Sequence, residues 1–354
     1  MVQSDAQKYD ALLLERGKAF PRRAFLVGST VLLASVLSGY GMLKNREGQI
    51  ISHGDKRLQR MNVYAFDTVV SLVIEGDRSV LYQAASECAR WHNLFSAWDA
   101  SSEVSSINRA RGNTVKVSAD TLDLIAKTLP YCQTSKGKFD PTIGSVSLLW
   151  DFKNSIKPDS HILKEAVSHV DWRALDVQGD TVRLIDPAAA LDFGGIAKGW
   201  IADRLADFFR SRGISSGLID LGGNIYALGE KPDGEPWVIG IADPANPKTK
   251  VITTLKVRDC SVVTSGLYEK HFFDDGIDYH HILNSATGQP SQTNFCSSTI
   301  VSPCSLDGDA LSTIMILDSD LSKIETVSKV SGVEILCVDR TGSQLMSEGL
   351  AAYF

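Results

Sequence analysis

The sequence predicts an α+β protein: a two-lobed domain with mixed, mainly antiparallel sheets flanked by helices, preceded by one N-terminal transmembrane or signal helix. Three observations carry this prediction. The 354 residues are 44% hydrophobic, enough for a large core arranged as two lobes or one big domain. Helix-spaced and strand-spaced apolar runs are mixed along residues 61–354, and most of the strand-like runs are short. Ala24 to Leu43 carries no charge over 20 residues, about the length that crosses a bilayer.

The N-terminal elements come first. Arg16, Lys18, Arg22 and Arg23 precede the apolar stretch, while only Lys44 and Arg46 closely follow it. That bias places the N-terminus inside and the rest of the chain outside. Residues 1–23 therefore read as a basic cytoplasmic segment, 24–43 as a membrane anchor or signal segment, and 44–60 as a polar linker. The string PRRAFLVG has a twin-arginine look. Tyr40 stands where a lipoprotein would carry its cysteine, which excludes lipid attachment at that point. No clear A-x-A cleavage site is present, which favours an anchor; a buried core helix is the alternative. The expected location is the inner membrane facing the periplasm, or the periplasm itself.

From Tyr64, the run YAFDTVVSLVIEG alternates like a strand. Arg78 to Phe95 has helical spacing, and a second helix runs from about Ala119 to Ser135, ahead of Gly137. DTVRLID and ALDFGG read as strands. Gly199 to Arg212 is an amphipathic helix with Ile201, Leu205, Phe208 and Phe209 on one face and Gly213 as its stop signal. Short strands follow in GLIDLGG, NIYALG, WVIGIA, VITTLKV, SVVTSG and HHILN. Helical runs follow Leu306 and Ser319, and VEILCVD closes as a strand.

The net charge is -6 and no basic patch is present, which argues against nucleic acid as a partner. The six cysteines show no C-x-x-C and no zinc-like Cys/His spacing. Cys296 and Cys304 are the nearest pair for a disulfide in an exported domain; the others read as small buried residues.

Four stretches carry chemistry. Asp192 to Gly199 (DFGGIAKG) lacks the Gly-Lys-Ser/Thr of a Walker loop and the G-x-G-x-x-G of a dinucleotide fingerprint. Yet two glycines precede a helix start, whose free N–H groups attract an anion. Lys198 falls in the first turn, where the helix dipole disfavours a cation and a bound anion would offset it. The alternative is a plain turn with a solvent-facing lysine. In GDALST, Asp309 and Thr313 share a helix face and offer two hard oxygen ligands suited to Mg²⁺; the alternative for Asp309 is a helix cap. His281, before a turn, has the imidazole of a general base, or is structural. Asp140, before Pro141, reads as a loop residue that binds a heterocycle or ribose, or caps a turn.

Taken in order, these stretches resemble the FAD:protein FMN transferases, the ApbE family of flavin transferases. The resemblance covers roughly Tyr64 to Leu317 and rests on eight elements in order. They are Ala65-Phe66-Asp67-Thr68, Leu94 to Asp99, Phe139 to Gly144, Asp192 to Gly199, Asp220-Leu221-Gly222-Gly223-Asn224, Thr264-Ser265-Gly266, His281-Ile282 with Thr287-Gly288, and Asp309 to Thr313. No single one is specific; the ordered set is. The resemblance implies that residues 61–354 form a flavin transferase domain. It implies Mg²⁺-dependent transfer of FMN from FAD to a Thr or Ser hydroxyl of a partner flavoprotein, with release of AMP. It places the metal on Asp309, Thr313 and a main-chain oxygen near Gly195. FAD contacts map to Phe66, Ser96, Ala97, Trp98, Asp140, Lys198 and Leu283, and His281 deprotonates the acceptor. Two departures stand out: Asn284-Ser285 in place of Asp-Pro, and Tyr268-Glu269-Lys270 in place of Tyr-x-Arg. The rival readings are an FAD pyrophosphatase giving FMN and AMP, and a non-catalytic exported flavin-binding maturation factor for a respiratory reductase. The acceptor partner expected is a subunit of a membrane redox complex or an extracytoplasmic reductase.

Overall fold

The computed structural model describes residues 43–44, 50–51, 58–318 and 332–354. The reading of residues 1–42 and the helix expected after Ser319 lie outside them. Among the described residues no helix is long and apolar enough to cross a membrane.

An eight-stranded antiparallel sheet forms the centre. Its strands are β1 (Leu58–Ala65), β2 (Thr68–Glu75), β3 (Gly217–Leu221), β4 (Asn224–Leu228), β5 (Cys260–Gly266), β6 (Phe295–Ser302), β7 (Glu334–Asp339) and β8 (Gln344–Met346). They neighbour one another in chain order, β1 through β8. The expected α+β class with mainly antiparallel sheet is what is observed. Period-2 alternation explains why both faces are apolar. On one face Val70, Leu72, Ile74, Ile219, Leu221, Tyr226 and Leu228 join the main core. On the other, Ala227, Val262, Val301 and Leu336 pack under the hairpin Trp237–Ala242/Val251–Val257.

The main core is completed by helices α1 (Arg78–Phe95), α3 (Ala119–Thr134) and α4 (Ala197–Ser211), with the short α2 (Glu103–Arg109) beside them. Helix α5 (Ser305–Asp318) lies between β6 and β7 in the chain and contributes Leu306, Ala310 and Ile314 to that core. A smaller apolar cluster joins Val146, Leu149, Trp150 and Leu163 to Phe272 and Leu283. It fastens the hairpin His271–Asp274/Ile277–His280 to the helix Ser160–Val167.

Several local expectations change. YAFDTVVSLVIEG is not one strand but the end of the first arm, the turn and the second arm of a hairpin whose first strand begins at Leu58, inside the stretch read as linker. Phe66 and Asp67 form its two-residue turn, with φ of 56° and 57°, the left-handed backbone of a tight hairpin turn. ALDFGG makes no strand; only Ala190 bridges, to Ile143. The strand in HHILN stops at His280, so His281 begins the following loop.

Candidate active site

The site lies where α4 starts against α5. The loop before α4 is pinned from below: the Gly194 N–H donates to Asp192 Oδ1 at 2.9 Å, and Ser147 Oγ donates to Asp192 Oδ2 at 2.7 Å. Phe193 and Ile196 are buried and hold the turn down. No side chain of its own N-cap residue caps α4. Instead Asp309 does so from α5: the Gly199 N–H donates to Asp309 Oδ2 at 2.9 Å. The helices meet closely here, because a Cβ on Gly199 would stand 2.3 Å from the Ser305 carbonyl oxygen. In return Asp203 of α4 accepts from the Ser305 and Leu306 N–H groups at 2.8 and 3.0 Å. Each helix therefore caps the other, which satisfies N–H groups that a helix start leaves open.

Lys198 bridges this junction. Its Nζ donates to the Gly194 carbonyl at 3.1 Å and lies 3.4 Å from Asp309 Oδ1. The carboxylate offsets the unfavourable dipole at that helix start. Thr313 Oγ1 donates to the Asp309 carbonyl at 3.1 Å and lies 3.3 Å from Ser265 Oγ, which itself meets Ser312 Oγ at 2.8 Å. A Cβ on Gly195 would lie 3.5 Å from Thr313 Oγ1, so the loop glycine abuts that hydroxyl. Asp309, Thr313, Gly195 and Lys198, far apart in sequence, are thus neighbours.

His281 closes the site from the hairpin side. Its ring is held by the Lys270 carbonyl at 3.2 Å and meets Phe152 edge-on, with centroids 6.5 Å apart. Burial first, then the charges of Lys270, His280 and Lys198, lowers its pKa to about 3. With its pKa held that low, the ring stays neutral near pH 7. Beside it the Glu269 carboxyl is pushed up, by burial most, although Lys198 and Lys270 pull it down.

The remaining predicted contacts fall in two groups. Phe66 and Ser96 meet at His92, which the sequence reading missed; Ala97 and Trp98 follow in the loop, where the Trp98 N–H donates to Ser96 Oγ at 3.2 Å. The Phe66 N–H donates to His92 Nδ1 at 3.2 Å, the two rings meet edge-on, and the Ser96 N–H donates to the His92 carbonyl at 3.2 Å. Trp98 is 43% exposed, free to stack on a ligand. Asp140 lies in a segment that borders the site loop, since the Asp192 N–H donates to the neighbouring Pro141 carbonyl at 2.8 Å. Asp140 Oδ1 accepts from the Thr142 N–H and hydroxyl at 2.8 and 2.6 Å, and Oδ2 from the Trp172 N–H at 2.9 Å. These bonds cap a buried turn. The Leu283 side chain is buried in the small apolar cluster. Asp203 and His92 gave no signal in the sequence, and Ser265 and Lys270 appeared there only within stretches compared with the family, since the partners of Asp203, Ser265 and Lys270 and the Phe66 partner of His92 lie far off in the chain.

Among the described residues no group of three or more His, Cys, Asp or Glu side chains is placed to hold a metal. All six cysteines are unpaired, so the disulfide between Cys296 and Cys304 is absent. The shallow pocket lined by Arg210, Ile214, Leu228 and Asp259 involves none of the site residues.

An ammonium and a carboxylate at a helix start, with two hydroxyls beside them and an imidazole within electrostatic reach, make a site of the kind that receives an anionic ligand. The chain belongs to the ApbE family, whose model matches residues 66–336. A FAD:protein FMN transferase of Treponema pallidum is 37% identical over 230 residues, 60% of this chain and 64% of that protein's length. One from Klebsiella pneumoniae is 36% identical over 231 residues, 64% of this chain and 71% of that protein. Among solved structures, the ApbE protein of Thermotoga maritima superposes with a TM-score of 0.78 at 28% identity, covering 84% of this chain and 99% of its own. The flavin transferase ApbE of Vibrio cholerae has the same fold, with a TM-score of 0.74 at 22% identity over 84% of this chain and 99% of its own.

Proposed function

We propose that this protein transfers FMN from FAD to a Thr or Ser hydroxyl of a partner flavoprotein and releases AMP. The observation that carries this reading is the junction of Lys198, Asp309 and Thr313 within electrostatic reach of His281. Its relatives named FAD:protein FMN transferase support it.

The acceptor oxygen attacks the FMN phosphorus within FAD and forms a new P–O bond. The P–O bond to AMP breaks, and AMP leaves with the bridging oxygen. The hydroxyl proton passes to the neutral ring of His281. Lys198 and Lys270 both depress that ring's basicity, so an anionic pyrophosphate beside them raises it as substrate binds. Lys198 holds the pyrophosphate in place, and Phe66 and Trp98 supply faces for the flavin or adenine ring.

The donor types fit Mg²⁺: the Asp309 carboxylate and the Thr313 hydroxyl, one helix turn apart, are hard oxygens, and Gly195 abuts the Thr313 hydroxyl. Asp309, Thr313 and the Gly195 carbonyl would hold the ion, which supplies charge neutralisation at the pyrophosphate. The protein is further proposed to face the periplasm, held by residues 24–43, and to serve a membrane redox complex or an extracytoplasmic reductase. The 20 uncharged residues and their basic flank support that placement.

The test combines the full chain with FAD, Mg²⁺ and a flavin-acceptor domain, read by intact mass and AMP release. Acceptor labelling by FMN that EDTA abolishes is expected. AMP without labelling would favour a pyrophosphatase, and tight FAD binding with neither product a flavin carrier.

A further inference from the structure

Resting on the transfer reading above, we propose that Lys270 is a positioning residue for the proton-accepting step. Its carbonyl sets which nitrogen of His281 is free, and its ammonium, paired with Asp67, ties His281 to the hairpin tip that carries Phe66.

The carbonyl is reached twice by the same residue. The His281 main-chain N–H donates to the Lys270 oxygen at 3.0 Å, and the ring Nδ1 lies 3.2 Å from it. A carbonyl only accepts, so the ring bonds to it as Nδ1–H. In a neutral imidazole the other nitrogen, Nε2, then keeps its lone pair. This hydrogen bond selects the tautomer able to take a proton at Nε2.

The side chain reaches the other way. Lys270 Nζ lies 3.8 Å from Asp67 Oδ2. Asp67 and Phe66 are the turn residues of the β1–β2 hairpin, and His92 fixes the Phe66 N–H at 3.2 Å. On the Lys270 side, His271 and His280 pair as the first rung of the hairpin that carries the histidine. The ion pair therefore joins two anchored elements rather than two free side chains. Both partners are more than half exposed, so the pair has a small, salt-sensitive effect. The charged and titratable groups acting on the His281 ring are Lys270, His280 and Lys198, with Glu269 beside the two lysines.

Two measurements on the full chain decide it. In ¹⁵N-labelled protein, with the His281 ring signals assigned through His281→Gln, the Nδ1–H tautomer is expected at neutral pH. An Nε2–H tautomer overturns the proposal whether or not the protein transfers flavin. In the FMN transfer assay at saturating FAD, Lys270→Met and Asp67→Asn are each expected to lower kcat about two- to fivefold, with the double variant no worse and Lys270→Arg restoring the rate. The acid limb of the pH profile moves up in Lys270→Met, which removes a cation near the ring, and down in Asp67→Asn, which removes its counter-charge. A merely structural role moves neither limb. Fixed limbs, or losses that multiply in the double variant, overturn the clasp. Wild-type protein that shows the Nδ1–H tautomer but labels no acceptor counts against the transfer reading instead.

Discussion

Asp309 and Asp203 cap each other's helices: Asp309 of α5 accepts the Gly199 N–H of α4 at 2.9 Å, and Asp203 of α4 accepts the Ser305 N–H of α5 at 2.8 Å. The pair fixes the angle and spacing at which α4 meets α5. That spacing puts Lys198 beside Asp309 and Gly195 beside Thr313. Structural capping and site chemistry are carried by the same carboxylate, and the predictions below separate the two.

Asp309→Asn keeps an oxygen for the Gly199 N–H but loses the charge facing Lys198. It is expected to fold normally and to lose about 100-fold or more in FMN transfer, the scale of removing one electrostatic contact at a reacting centre. Near-wild-type transfer by a folded variant would remove Asp309 from the site.

Gly199→Ala would place a methyl 2.3 Å from the Ser305 carbonyl and 2.7 Å from Leu306 Cα. Both are backbone atoms and cannot swing aside. Thermal or denaturant unfolding should show a loss of about 1–3 kcal/mol, typical of overpacking. Activity should fall along with it, because the same junction carries Asp309.

Asp140→Ala should act on stability, not on flavin affinity. It strips acceptors from the Trp172 and Thr142 N–H groups in a buried turn. A loss of about 1–3 kcal/mol in unfolding free energy is expected for donors left unsatisfied. FAD binding measured by flavin fluorescence should change little in the folded fraction; a selective loss of affinity would restore the ligand reading.

The pH dependence of stability follows from His281. Its pKa falls from an ordinary 6.5 to about 3 on folding, through burial first. Between those values the unfolded chain binds the proton and the folded one does not, so stability rises with pH across that window. The contribution is complete above 6.5 and is lost as pH falls toward 3. His280, also lowered by burial, has the same sign. Asp140, raised by burial, has the opposite sign above the ordinary carboxylate value, and offsets part of the loss. Urea midpoints from pH 7.5 to 4.5 should decline in the wild type and decline less in His281→Gln. Parallel curves would show that the imidazole titrates alike in both states.

Much of the site was legible because its parts are short and local. Asp309 and Thr313 share a face by helix period alone, and Lys198 falls in the first turn of its helix from the position of the two glycines and the apolar spacing. The antiparallel class followed from period-2 runs. Local pattern misled where the backbone turned: Phe66 and Asp67 sit inside an unbroken β-like run, and nothing in their side chains announces a left-handed turn. ALDFGG has the composition of a strand but is held as a loop by Ser147, Asn108 and its own Asp192.

By itself, then, the sequence determined the strand and helix periods, the family and the identity of the oxygen and nitrogen donors. The tertiary structure alone decided that Asp309 doubles as the cap of another helix, that Asp140 caps a turn shared with Trp172, and that the Lys270 carbonyl holds His281 while its ammonium faces Asp67. Periodicity acts over a few residues, so a chain declares its own faces. Hydrogen bonds and charges between residues more than 100 positions apart, such as Gly199 and Asp309, form only once burial of the core has brought their helices together.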